Sequence, residues 1–413
     1  MKKIMSIIVL IILPLICVAQ QYTLDELINI GLEKSYDIQA EVVNELNAES
    51  SLRSSYYGVL PSLSVGLDRT KTYDPTDTEW TNTAELTVSK NFSLNEPSYY
   101  SIRTSIYGMK NAQLSMNETR KQIAYYIFSN YLGVLELQET LEIQRKNLEL
   151  QNKIQLQIQV QFDAGDKSLL ELKQSEVSLI DYEIAVNEAI NALSKTRKDL
   201  FSYLNIDDKG FEFIEPAYSI KLEKTEFQFN NALKQKFYTL ENGKLLHFRS
   251  MMNFLPTFTI GYGLGQYKLD EVTAFSDYNR NSQSLYLSAS WDIFGLLDTY
   301  ESYSRSKRNL NLQKLEYKTS QRDYGIQLDN LQNDLATLQR SFDLYEEKLK
   351  LASENLNMAQ EQFRLGMISL LDLDRSKIDF QNTQLARIQK HYQLMIKQEE
   401  INLLLSDKIL GKW

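Results

Sequence analysis

The chain has 413 residues, 43% of them hydrophobic and 24% charged, and a formal net charge of −9. An acidic surface argues against nucleic-acid binding, and after the N-terminus no apolar run approaches the ~20 residues that a membrane-spanning helix needs. The 15 Gly and 6 Pro are few enough for long uninterrupted helices, whereas 25 Tyr and 17 Phe exceed what coiled coils alone would use.

Residues 1–19 are predicted to be a secretory signal peptide. Two lysines precede an apolar core, and small residues lead to a cleavage site after Ala19. Cleavage there would remove Cys17, the single cysteine, so the exported chain would have no disulfide and a formal charge of −11. Lipidation of Cys17 is the alternative, but Ile16 is bulkier than the small residue that usually precedes a lipidated cysteine.

A heptad pattern between Leu331 and Phe363 predicts one long helix that packs lengthwise against others. It ends before Gly366, which permits a tight reversal, and Ser369 can cap a helix that returns towards Leu405. This stretch is therefore predicted to be a long antiparallel helical hairpin. The apolar residues that step alternately by four and three are Leu331, Leu335, Leu338, Phe342, Tyr345, Leu349, Ala352, Leu356, Ala359 and Phe363.

The same hairpin occurs earlier in the chain. Residues 161–172 align without gaps with residues 362–373, sharing Phe, Gly, Ser, Leu-Leu, an acid and Leu. A period near two hundred residues indicates a duplicated half rather than a short-repeat solenoid. We predict a first repeat at 20–204 with its tip near 163–168, a connector at 205–225, and a second repeat at 226–413 with its tip near 364–369.

Each half also contains two segments with the two-residue period of β-strands, placed after Leu60-Pro61 and Leu255-Pro256. About nine residues with one apolar face suit a strand that spans a membrane. Four strands cannot close a barrel, and open edges are not tolerated in lipid, so copies must share their strands. Three copies would give a closed barrel of twelve. The predicted strands are about 62–70, 82–92, 257–267 and 283–293.

With this organisation the sequence resembles the TolC-like outer-membrane efflux and secretion channels of Gram-negative bacteria. The resemblance covers nearly the whole chain after residue 19, from TLDELINIGLEKSYDIQA through LPSLSVGL and LPTFTIGYG to the tips FDAGDKSLLELKQS and FRLGMISLLDLDRS. It implies a mainly α fold with a membrane β part. Each chain of a homotrimer would give four strands to a 12-stranded barrel in the outer membrane, and the long coiled-coil helices would form a periplasmic α-barrel.

The resemblance also implies a function and partners. The chain would be a passive exit duct for efflux or secretion that docks to a periplasmic adaptor protein and an inner-membrane transporter. Gly165, Ser168, Leu169, Gly366, Ser369 and Leu370 at the tips are candidate docking residues. Both glycines are needed for the turns in any case, and the leucines favour packing in the seam between helices.

In the resembled family, acidic side chains early on the second return helix narrow the periplasmic mouth. Asp372 stands at the first of these positions, and Arg375 stands where the best-known members carry a second acid, with Asp374 beside it. The candidate constriction would then be a mixed ring rather than a purely acidic one. The alternative is a solvated helix start, where the helix dipole favours acids.

No residue pattern indicates an enzyme, a cofactor or a metal. His247 and His391 are the two histidines, and they lack metal-ligand spacing. A secreted glycosidase-like enzyme would need paired carboxylates in a cleft. The remaining alternative is a periplasmic adaptor or scaffold made of helical hairpins without a pore, which would not need two amphipathic strand pairs at equivalent positions.

Overall fold

The computed structural model describes residues 23–73, 78–220, 225–227, 229–268 and 283–413. The predicted signal peptide at 1–19, with Cys17, lies outside the described residues. Within these ranges, none of the helices combines the length and the apolar character needed to cross a membrane.

The elements follow the same order in both halves of the chain. The first half comprises α1 (Leu24–Lys34), α2 (Tyr36–Tyr57), β1 (Ser62–Tyr73), β2 (Thr78–Phe92), α3 (Pro97–Asp163) and α4 (Leu169–Tyr203). The second half comprises α5 (Asn231–Met252), β3 (Thr257–Lys268), β4 (Gln283–Ser290), α6 (Leu296–Arg364) and α7 (Leu370–Leu405), followed by a 3₁₀ turn at Ile409–Gly411.

Apolar residues recur at roughly helical spacing from Leu24 to Val42 and predict one opening helix that ends near Leu60-Pro61. The observed helical segment is instead divided at Ser35. Ser35 has an extended backbone (φ −63°, ψ 129°), and its N–H donates to the carbonyl of Gly31, closing α1. The start of α1 has a capping box, in which Glu26 N–H donates to Thr23 Oγ1 and Thr23 N–H donates to Glu26 Oε2. Gly108 does not interrupt α3, which is one helix from Pro97 to Asp163.

Some strand ends differ from the predicted bounds. β1 and β2 extend into the stretch that was expected to be a loop, because their ladder continues to the pair Tyr73 and Thr78. β4 ends at Ser290 rather than near 293. There Asp292 Oδ1 accepts a hydrogen bond of 2.9 Å from Gly295 N–H, which turns the chain into α6.

The chain forms two compact units. The first contains the described residues up to Ser35, Gln122–Glu223 and Gln332–Glu400. The second contains Tyr36–Lys121, Lys224–Leu331 and Ile401–Trp413. Since α3 and α6 continue from one unit into the other, each unit is assembled from both repeats. The tips lie in the first unit and the strands in the second.

The second unit contains one antiparallel sheet with the order β1-β2-β3-β4. The central pairing of β2 with β3 joins the hairpins of the two repeats, with Val88 opposite Tyr262. Within the described residues, β1 and β4 each pair on one side only. Apolar side chains of both edge strands are 68–78% exposed, namely Leu63, Val65, Leu67, Leu285 and Leu287. The sheet therefore presents an apolar surface that the described residues do not cover.

The connector packs against the helices of the first unit. Tyr131 on α3 both donates to the carbonyl of Ile214 (2.7 Å) and accepts from its N–H (2.9 Å). Tyr218 O–H donates to Glu399 Oε1 at 2.8 Å. Phe211 and Phe213 are buried. The described part of the connector is thus a docked segment, although it contains no helix or strand.

Candidate functional site: the two helical tips

Both helical hairpins reverse through the same backbone geometry. Gly165 and Gly366 have φ of +84° and +73°, a left-handed conformation that is easy for glycine and costly for other residues. Each turn closes with two crossed hydrogen bonds. The donor N–H and acceptor carbonyl pairs are Gly165 to Phe162 (2.9 Å), Asp166 to Gln161 (2.8 Å), Gly366 to Phe363 (2.9 Å) and Met367 to Gln362 (2.8 Å).

The return helices begin with equivalent caps. At α4, Ser168 and Glu171 form a full capping box, and Lys167 Nζ lies 2.8 Å from Glu171 Oε1. The Lys167 contact and the Ser168 hydrogen bonds lower the pKa of Glu171 to about 2. The first tip therefore holds Glu171 as a structural anion.

At α7, Ser369 and Asp372 take the same roles. Asp372 Oδ2 accepts from Ser369 Oγ (2.6 Å) and from Ser369 N–H (3.3 Å), and Asp372 N–H donates to Ser369 Oγ (3.3 Å). The Ser369 hydrogen bonds, with a smaller contribution from Arg375, lower the pKa of Asp372. Arg375 Nη1 lies 3.9 Å from Asp372 Oδ1, and both side chains are exposed. Asp372, the third residue of α7, is thus the reciprocal partner of Ser369 in capping this helix.

Asp374 faces a different environment from Asp372. Its Oδ1 accepts a 2.8 Å hydrogen bond from Lys377 Nζ, and Lys377 is only 4% exposed. Lys377 also donates to Gln151 Oε1 on α3 and lies 5.4 Å from the ring centroid of Tyr182 on α4. Burial, with smaller contributions from Asp374 and Asp181, raises the pKa of Tyr182 to about 12. One buried lysine of α7 therefore contacts two further helices, α3 and α4.

An apolar cluster in the first unit holds the two hairpins together near their tips. It combines α3, α4, α6 and α7, and Phe162, Ile368 and Phe380 pack against it. Its buried members are Ile154, Ile158, Leu172, Leu356, Ala359, Phe363, Leu370 and Leu373.

The leucines at the two tips behave differently. Leu370 is buried in the cluster, as expected for seam packing, whereas Leu169, Leu170 and Leu371 are exposed in this chain. The exposed leucines are thus not packed in a seam within the chain.

The structure brings the predicted residues of each tip together, but it also includes three that were not predicted: Lys377, Gln151 and Tyr182. A sequence signal existed for Lys377. It follows Leu370 and Leu373 at the next seam position of α7, where an apolar residue is expected. A lysine at such a position indicates a buried partner elsewhere, but a single sequence does not identify that partner.

Neither histidine belongs to the tips. His391 Nε2 lies 2.8 Å from Glu215 Oε1, and His247 stacks on Tyr303 with ring centroids 5.2 Å apart. Among the described residues, no group of three or more His, Cys, Asp or Glu side chains is arranged to hold a metal ion.

Two repeated halves, each with two strands and a long helical hairpin, define the fold class of outer-membrane efflux channels. Residues 251–406 match the family model of outer membrane efflux proteins. No individual curated protein matches the sequence significantly. The family match includes the second tip and the second strand pair and agrees there with the resemblance inferred from these motifs, and the predicted location in the outer membrane and periplasm agrees with it.

Solved structures share this fold over nearly the whole chain. The CmeC outer membrane channel of Campylobacter jejuni has a TM-score of 0.81 at 16% identity, covering 94% of this chain and 87% of that one. A membrane protein from Pseudomonas aeruginosa has a TM-score of 0.84 at 12% identity, covering 94% and 91%. The outer membrane protein VceC of Vibrio cholerae has a TM-score of 0.80 at 13% identity, covering 92% and 94%.

Proposed function

We propose that this chain is one subunit of a homotrimeric outer-membrane exit duct without enzymatic activity, through which an inner-membrane transporter expels its cargo by way of a periplasmic adaptor. The observation that carries the proposal is the four-stranded sheet, whose two outer strands each lack a partner on one side within the described residues. Open edges are excluded from lipid because their N–H and C=O groups would be unsatisfied. Three such sheets joined edge to edge would satisfy both edges.

The exposed apolar side chains of the edge strands support a lipid-facing sheet. Leu63, Val65 and Leu67 recur at every second residue of β1, so they share one face. A strand with one apolar face and one polar face is typical of a barrel with lipid outside and water inside. In a water-soluble adaptor this surface would be an aggregation hazard.

Besides the apolar face of the sheet, the helices of the first unit carry exposed apolar stripes. On α6, exposed Leu344, Leu351 and Met358 recur at seven-residue steps, on a different side from the buried seam, and exposed Leu365 follows seven residues later, directly after the helix. On α4, Val177, Ile180 and Ile184 are exposed. Heptad stripes of this kind pack against other helices, and we propose that neighbouring copies cover them.

We propose that the tips contact the adaptor and form the constriction. Exposed Leu169 and the turn at Gly165 offer a surface at the first tip, with Ser168 at the start of α4. At the second tip Gly366 and Ser369 shape the turn, while buried Leu370 supports it. Asp372, Asp374 and Arg375, at the start of α7, are the proposed constriction residues.

The experiment that tests the duct is single-channel recording of the purified protein in planar lipid bilayers, beside Asp372→Ala and the control Asp323→Ala, which changes an exposed carboxylate on α6. We expect stable conductance steps from all three proteins, with an altered conductance in Asp372→Ala alone. A monomeric, water-soluble protein that never inserts would overturn the duct. Conductance that is the same in all three would overturn the role of Asp372 and leave the duct standing.

A further inference from the structure

The start of α7 contains two ion pairs, each of which has no formal net charge. Between residues 369 and 378 the charged side chains are Asp372, Asp374, Arg375 and Lys377. They pair three residues apart along the helix, Arg375 with Asp372 at 3.9 Å and Lys377 with Asp374 at 2.8 Å. This segment therefore carries no formal net charge, although it holds both candidate constriction acids.

The charges that flank this segment are also paired. Arg364 Nε lies 2.9 Å from Glu361 Oε2, and Lys348 Nζ lies 2.8 Å from Asp379 Oδ1. Every charged side chain between residues 361 and 379 thus has an oppositely charged partner. A strong local field from a single uncompensated residue is therefore absent from this part of the described structure.

Lys377 shows that the compensation comes at an energetic cost. Taking an ammonium group out of water is unfavourable unless it is paired, and apolar residues of similar volume often replace buried ion pairs without loss of stability. A methionine of similar length would suit the seam beside Leu373. Keeping a lysine there preserves a positive charge next to Asp374, which a methionine would not supply.

The first repeat provides an internal comparison. Positions 201 residues earlier than Asp374 and Lys377 are Lys173 and Glu176, which also form an ion pair, at 2.7 Å. The order of the two charges is reversed between the repeats. Both repeats therefore have a neutral ion pair at this position of the return helix, although the acid and the base exchange places.

We propose that the start of α7 is a charge-compensated segment, in which Arg375 and Lys377 cancel Asp372 and Asp374 so that the constriction does not select for cations. The inference rests on the proposed function, since it places these residues at the narrow point of a duct. Anionic and neutral solutes would then pass as readily as cations of the same size. An acidic ring, by contrast, would hold cations and exclude anions.

The test measures the reversal potential of single channels under a KCl gradient, which gives the permeability ratio of K⁺ to Cl⁻. Arg375→Gln is the first variant, because its side chain is 72% exposed and its replacement leaves the packing unchanged. We expect the ratio to rise severalfold in Arg375→Gln, since Asp372 loses its compensating charge. The control Arg322→Gln, which breaks an exposed ion pair on α6, should leave the ratio unchanged.

Lys377 is tested by a charge cycle. Lys377→Met should raise the ratio of K⁺ to Cl⁻, and the double variant Asp374→Asn with Lys377→Met should return it to the wild-type value. A loss of packing alone would not be reversed by removing a second partner. If Lys377→Met does not fold, the permeability ratios of the exposed variant Arg375→Gln and of the double variant still test charge compensation.

The outcomes separate this inference from the duct itself. A wild-type channel with strong cation selectivity, or one whose ratio is the same in Arg375→Gln, would overturn charge compensation and leave the duct intact. Absence of insertion by the wild-type protein would overturn the proposed function instead.

Discussion

At the scale of single residues, the tips depend on two glycines with positive φ. An L-residue in the left-handed region costs roughly 1–2 kcal/mol, and Gly366 adopts φ of +73° in open space, where a Cβ would meet no other atom. Backbone strain, and not crowding, is therefore what a larger residue would introduce at this turn.

We expect Gly366→Ala to lower the free energy of unfolding by about 1 kcal/mol or more. Gly325 is the matched control, because it lies inside α6 with equally open space around it but without a positive φ. Gly325→Ala should stabilise the chain by about 0.5–1 kcal/mol, because alanine favours a helix interior. Denaturant unfolding in one detergent compares them, and shifts of the same sign would contradict the account.

The charge of Glu171 makes the contribution of the first tip to stability depend on pH. Its pKa of about 2, set by Lys167 and Ser168, lies below the ordinary 4.5. A depressed folded-state pKa contributes stability that is complete above the unfolded-state value and is lost as the pH falls towards 2. We expect Glu171→Gln to be less stable than the wild type by about 1 kcal/mol at pH 7, with the difference vanishing between pH 5 and pH 2. A difference that stays constant over this range would show that Glu171 is not held as an anion.

At the scale of elements, the sequence predicted those with a long, regular period. The heptads predicted α6, and the repeated tip motif predicted the first hairpin; the helix ends at both tips lie close to those observed, because glycine and a serine cap mark each reversal. The repeat extends further than the motifs suggested. Asn205 and Ser406, which end the two return helices with positive φ, stand 201 positions apart, as Gly165 and Gly366 do.

The break at Ser35 could not be predicted because the apolar pattern on its two sides belongs to different surfaces. Leu27 and Ile28 of α1 are buried, whereas Tyr36 and Val42 of α2 are exposed. The packing of the connector was also missed, since its partners, such as Tyr131 and Glu399, are 80 or more residues away in sequence. Neither periodicity nor spacing reports on such contacts.

The connector gives a prediction for the element scale. Tyr131→Phe removes the hydroxyl that both donates to and accepts from Ile214, leaving two backbone groups without their partner, at a cost of about 1–3 kcal/mol. We expect faster proteolytic cleavage between residues 206 and 220. Tyr126→Phe is the control, because Tyr126 is an exposed tyrosine on the same helix. Equal cleavage rates in the two variants would contradict the docking of the connector through Tyr131.

At the scale of the whole molecule, the apolar stripe on α6 predicts how copies associate. Leu351 is exposed in the single chain, whereas Leu356, five residues further along α6, is buried. We expect Leu351→Glu to leave a folded chain that no longer forms trimers, because a carboxylate in a helix interface is left without a partner. Lys350→Glu, at an exposed position next to it, is the matched control. Native mass spectrometry in detergent measures the populations, and trimers in both variants would place the interface elsewhere.

The central claim is that the four-stranded sheet is one third of a closed barrel. The most direct measurement is an electron cryomicroscopy structure of the purified protein in lipid nanodiscs. We expect three chains around one axis, with β1 of each chain hydrogen-bonded to β4 of a neighbour in a ring of twelve strands. A single chain, or a sheet whose outer strands remain unpaired in lipid, would contradict it.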